Sequence, residues 1–276
     1  RDTDRSRGLG DVYKRQDHEN IVFSSVPFTI SVGDENFIDD QNLDVDGMID
    51  SMDACAQASH TACPSPHAWL EKFEQEGNVI AITISSKLSG SYNSACAAKD
   101  MVLENQPDKK IAVIDSRSTG PEMVLLVKKI CEIIESGADF DTVVSKAELY
   151  SNHTHIVFAL SSFNNLVKNG RMSKIVGFVA NKLGFWGIGI GSKQGTIEIK
   201  QKIRGSKKAL DAIIDDMKER GYNCGKVVIS HCRNAEFAES VKSAIQSVWD
   251  KAEVKIVHAR GLCSYYAEKG GLIIGF

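Results

Sequence analysis

The chain has no C-x-x-C pair, no apolar run long enough to cross a bilayer and no surplus of basic charge. Each absence removes a class of protein. The seven cysteines (Cys55, Cys63, Cys96, Cys131, Cys224, Cys232, Cys263) are odd in number and scattered, which argues against a disulfide framework and for reduced thiols. The nearest approach to a membrane span, Ile175 to Gly191, is broken by Asn181 and Lys182 and is rich in glycine, so an integral membrane protein is not expected. No apolar signal segment opens the sequence, and a cytoplasmic location is expected. A formal net charge of -3 argues against bulk nucleic-acid binding, which needs a clustered basic surplus. There is also no G-x-S-x-G elbow, no P-loop and no metal-ligand constellation, so no cofactor or metal is expected.

What is present fits an ordinary globular protein. Charged residues make up 25% and the apolar set 42% of 276 residues, enough for two modest domains or one large one. Residues 1–16 carry a dense mix of both charges, no apolar periodicity and no starting Met. They read as a non-native leader resembling a cloning linker, with the native start expected to be missing. From there strands and helices alternate, predicting a largely parallel, doubly wound sheet in a first α/β lobe, 17–151, and a second α/β lobe, 152–276.

The densest chemistry lies in Ser85-Ser86-Lys87-Leu88-Ser89-Gly90-Ser91-Tyr92-Asn93-Ser94-Ala95, directly after the apolar run Val79 to Ile84. This reads as strand, loop and helix, with Ala95, Ala98 and Val102 on one helical face. Hydroxyls and free N–H groups gathered at a helix N-terminus favour an anion. With no lysine pincer and no glycine run, the loop suits one small anionic head such as a carboxylate. Taken singly, such a serine more often caps its helix. His153-x-His155 lacks further ligands, and adjacent His231 and Cys232 point to opposite sides of a strand. Gly187-x-Gly189-x-Gly191 fits a strand against a close neighbour better than a dinucleotide loop.

The serine loop resembles that of the DegV family of bacterial fatty-acid-binding proteins. So, in the same order, do Val26-Pro27-Phe28-Thr29-Ile30, Thr61-Ala62-Cys63-Pro64-Ser65-Pro66, Val113-Ile114-Asp115-Ser116, Asn169-Gly170-Arg171-Met172-Ser173 and Lys202-Ile203-Arg204-Gly205-Ser206-Lys207-Lys208-Ala209. The resemblance covers about Glu19 to Phe276. It implies a two-lobed α/β fold, parallel or mixed sheets flanked by helices, with one long-chain fatty acid in a tunnel between the lobes. It further implies Thr61 and Ser89 as carboxylate ligands, and neutral hydroxyls can satisfy a carboxylate without a buried countercharge. The protein would be a carrier and not an enzyme, presenting the carboxylate to a fatty-acid kinase that makes the acyl-phosphate.

Two departures matter. The family usually shows two glycines before Arg171, and Asn169 replaces the first. Arg171 is then expected near the exposed carboxylate end, for phosphate or kinase contact. Many members also carry a C-terminal histidine on the carboxylate, and Tyr266 stands roughly in its place. A phenol can donate a hydrogen bond but does not carry a proton at neutral pH as imidazole does. The basic run Lys200, Lys202, Arg204, Lys207 and Lys208 reads by default as a solvated helix start. The resemblance makes it a kinase-docking surface with Arg204 the main contact. RNA is a weaker alternative, since no aromatic residues interleave. A small-molecule enzyme acting in the interlobe cleft, as in dihydroxyacetone-kinase-like domains, is the alternative function. An incomplete chain that binds nothing is a third.

Overall fold

The computed structural model describes residues 21–172 and 184–276. The 1–16 leader, Ser173 of the arginine motif and residues 175–183 of the apolar run lie outside them. Among the described residues no helix is long and apolar enough to cross a membrane.

The protein is a mixed α/β fold with sheets flanked by helices. It begins with β1 (Thr29–Val32) and β2 (Glu35–Ile38), a hairpin whose two-residue loop starts at Gly33 with φ +58, a left-handed conformation that glycine adopts without penalty. Helix α1 (Val45–Ala54) and β3 (Ser59–Ala62) follow, and β3 pairs antiparallel with β1. Next come α2 (Pro66–Phe73), β4 (Val79–Thr83), α3 (Ser91–Asn105), β5 (Ile111–Asp115), α4 (Pro121–Glu135) and α5 (Phe140–Ser151). The apolar face expected on the serine-loop helix is present, with Ala95, Ala98 and Val102 buried against Trp69, Phe73 and Ala81. On the opposite face of the β4–β5 pair, Ile114 packs with Leu126, Ile130 and Val143. Covering both faces is what parallel strands require.

The largely parallel sheet expected in the first half needs correction. Among the described residues, parallel pairing there is confined to β4 and β5, while β1, β2 and β3 form a separate antiparallel sheet. A short hairpin loop can only return its strand antiparallel. Neither β2 nor β3 was expected as a strand.

The second half contributes β6 (Ile156–Leu160), α6 (Asn164–Lys168), β7 (Phe185–Gly191), β8 (Ile197–Arg204), α7 (Ser206–Glu219), β9 (Lys226–His231), α8 (Ala235–Val248), β10 (Glu253–His258), α9 (Gly261–Ala267) and β11 (Leu272–Gly275). Its six-stranded sheet runs β10-β9-β11-β6-β7-β8, parallel at β9–β10 and antiparallel elsewhere. Side-chain alternation along β6 divides the core. Val157 and Ala159 face α7 and α8 with Ile213, Met217, Val241 and Ile245. Ile156, Phe158 and Leu160 face the other way, toward Ile30, Met48 and Tyr265, as the two-residue period dictates.

Candidate binding site

That second face of β6 floors a narrow cavity of about 70 Å3, lined by Ile156, Phe158, Leu160, Leu166, Ile197 and Ile273 among others. An adjoining cavity of about 60 Å3 shares Leu88, Thr119, Leu166, Ile197, Tyr266 and Ile273 with it. Sharing these walls, the two cavities line up as an apolar channel in two parts, the smaller with the more polar lining.

The glycines of β7 make the channel wall fit. A Cβ on Gly189 would lie 2.4 Å from Phe158 Cζ, and one on Gly191 2.6 Å from Ile156 Cγ2. The bulky residues of β6 therefore pack directly onto bare backbone, the close approach the glycine spacing implied.

The polar end gathers residues far apart in sequence. Thr61, Ser89, Arg171 and Tyr266 all line the smaller cavity. Thr61 Oγ1 and the Tyr266 hydroxyl lie 2.7 Å apart. Arg171 Nε donates to the Leu88 carbonyl at 3.1 Å, and Nη1 donates to the Asn169 carbonyl. Arg204 is not among the lining residues. It ends β8, exposed, with its guanidinium 5.7 Å from the Phe185 ring centroid. Lys200 of the same basic run is engaged by Glu219 at 2.9 Å and Asp216 at 3.5 Å, so that part of the run pairs within the chain.

The serine loop uses more of its own N–H groups than a free anion site would. Leu88 and Ser89 N–H donate to the Ser85 carbonyl, Lys87 N–H to Ser85 Oγ, Ser86 N–H to Asp115 and Ser91 N–H to Ser89 Oγ. Ser89, just before the N-cap residue Gly90, therefore accepts from the first helical N–H as well as lining the cavity. The loop's capacity for an anion rests more on hydroxyls than on the expected row of free amides. Ser85 is 0% exposed and donates to the Gly195 carbonyl at 2.7 Å, tying the loop to the β7–β8 hairpin.

Helix α9 carries Tyr265 and Tyr266, and Asp39 anchors it. The two Asp39 oxygens accept from the Gly261 and Leu262 N–H groups at 2.9 and 2.8 Å, an N-terminal cap from a distant loop. Burial nonetheless raises the Asp39 pKa above its ordinary value, with these hydrogen bonds and Arg260 opposing it. Gly261 is required here, since a Cβ would sit 2.7 Å from Asp39 Oδ1 and 2.5 Å from Leu43 Cδ2. Cys263, also at the cavity, has its thiol pushed up to about 12 by burial, so it is a neutral S–H and not a nucleophile. Among the described residues no group of three or more His, Cys, Asp and Glu could hold a metal ion. Asp39 and Thr119 were missed by sequence reasoning, as was the tie of Ser85 to Gly195. Their roles come from long-range contacts that no local motif signals.

Comparison with known proteins places these features in a family. The DegV family model, described as Uncharacterised protein, matches residues 13–276. A DegV domain-containing protein of Streptococcus pneumoniae is 44% identical, covering 93% of this chain and 92% of its own. The crystal structure of the Streptococcus pneumoniae Fatty Acid Kinase (Fak) B3 protein, loaded with linoleic acid, is 44% identical with a TM-score of 0.89, over 92% of this chain and 91% of that one. A DegV family protein from Eubacterium eligens loaded with heptadecanoic acid is 39% identical with a TM-score of 0.89, over 93% of each chain.

Proposed function

The chain belongs to the DegV family, and we propose that it binds one long-chain fatty acid and presents the carboxylate to a fatty-acid kinase. The protein is then the binding subunit and not the catalyst. The observation that carries this reading is the meeting of Thr61, Ser89, Arg171 and Tyr266 at the polar end of an apolar channel. Each methylene withdrawn from water contributes about 0.8 kcal/mol, so the channel supplies affinity and the polar end supplies orientation. The channel draws residues from both proposed lobes, 17–151 and 152–276: Leu88 and Thr119 from the first, Leu166, Ile197 and Tyr266 from the second. The fatty-acid-loaded relatives support the ligand class, and the Fak B3 relative supports a kinase partner.

In this reading Thr61, Ser89 and Tyr266 hydrogen-bond the carboxylate. Arg171 stands beside it to meet the phosphoryl group or the kinase, and exposed Arg204 belongs to the docking surface. A cytoplasmic location follows from a kinase partner that consumes nucleotide, and nucleic acid is not a ligand. Native mass spectrometry of protein purified from bacterial cells should find a co-purified acyl species. Thr61→Val, Ser89→Ala or Tyr266→Phe should each weaken fatty-acid binding about tenfold to a hundredfold, the effect of one hydrogen bond to a charged group. Apo protein that takes up no added fatty acid would overturn the proposal, and turnover without added kinase would favour an enzyme.

A further inference from the structure

Behind the polar end lies a second layer of hydrogen bonds, centred on a residue that does not line the cavity. Asn169 follows α6, its N–H donating to the Asn165 carbonyl at 3.1 Å. Its side-chain amide donates to the Tyr265 hydroxyl at 2.9 Å and to the Asn165 carbonyl at 3.0 Å. Its main-chain carbonyl accepts from Arg171 Nη1. One residue thus grips the arginine with its backbone and the tyrosine helix with its side chain.

Each grip continues into the site. The Arg171 fork, held also at Nε by the Leu88 carbonyl, keeps further N–H donors for a ligand. Tyr265 donates its own O–H to Ser59 Oγ at 2.9 Å. Its ring meets that of Tyr266 edge-on, with centroids 4.9 Å apart and planes at 88°. Ser59 and Thr61 alternate along β3 and so lie on one face, where Thr61 meets the Tyr266 hydroxyl.

We propose that Asn169 is a positioning residue of the head-group site, coupling Arg171 on one side to the Tyr265–Tyr266 pair and β3 on the other. It acts through these residues without touching the ligand. The inference rests on the binding function proposed above and concerns its selectivity for a free carboxylate. Losing the amide frees the tyrosine pair from the turn that holds Arg171, whose bond to the residue 169 carbonyl remains, while the apolar channel stays intact.

The test is competition of oleate and of methyl oleate against a fluorescent fatty acid on the full chain. The wild-type protein should prefer oleate. Asn169→Gly should reduce that preference about threefold to tenfold, as one lost hydrogen bond allows, and leave methyl oleate affinity unchanged. Tyr265→Phe keeps the ring and removes the hydroxyl, so it should act likewise and stands in if the glycine variant does not fold. Added to Arg171→Gln, Asn169→Gly should change the preference by less than it does alone, the signature of coupled groups. Full retention of the oleate preference in both variants, or equal loss of both ligands, overturns the positioning role. A wild-type protein that binds neither ligand overturns the binding function itself.

Discussion

Glu122 is 6% exposed, at the first turn of α4, with hydroxyls from Ser118 and Thr154 reaching its two carboxyl oxygens. Burial raises its pKa above the ordinary 4.5, outweighing those hydrogen bonds and the charges of Arg117 and Arg220. The consequence for stability has a definite sign. Between the unfolded pKa and the raised folded one, the folded state holds more protons, so stability falls as pH rises through that window. Glu122→Gln lacks this slope. Melting curves of both proteins from pH 4.5 upward should show the variant gaining on the wild type as pH increases, and parallel curves would refute the account. At this scale the sequence was most legible where a motif names its own chemistry. That Thr61, Ser89, Arg171 and Tyr266 would come together followed from motif order and family resemblance. The couplings of Ser85 to Gly195, Asp39 to α9 and Asn169 to Tyr265 did not, because each joins residues that no short window contains.

Among the elements, the long periodic ones were readable and the short polar ones were not. The apolar run of β4 and the apolar face of α3 lie where the pattern put them, to within a residue. Strand β3, Ser-His-Thr-Ala, has no apolar alternation to announce it. Helix α9 begins at a glycine and is capped from a distant loop, so its local sequence carries no start signal. Strand β7 links element to function most directly. Gly189→Ala would place a methyl group against Phe158 and 2.5 Å from the Glu198 carbonyl oxygen. Both neighbours must give, the β8 main chain at Glu198 and the phenyl ring, which shifts from β7 toward the channel it lines. Overpacking of this kind costs about 1–3 kcal/mol. Affinity for stearate should fall more than affinity for laurate, measured by the same displacement assay, whereas equal losses would mean that Phe158 does not limit the acyl chain.

For the molecule as a whole, strand–helix alternation revealed the α/β class but not the pairing. Alternation cannot distinguish one continuous parallel sheet from the three separate sheets found among the described residues, since partner choice is decided by packing across the chain. Strand β11 is the sharpest case. It follows every other described strand in chain order, yet it lies between β9 and β6, antiparallel to both. Until it inserts, β6–β8 and β9–β10 are two fragments with open inner edges. Such long-range closure is slow, and open edges invite association with other chains. Pulse-labelled hydrogen exchange during refolding should see β6 and β9 amides facing β11 become protected together and late. Early protection of either would contradict this order. Ile273 of β11 also lines the channel, so the step that completes the sheet completes the proposed lipid site. A half-folded chain then has no finished pocket in which to sequester a detergent-like acid, and ligand capture becomes a report that folding has ended.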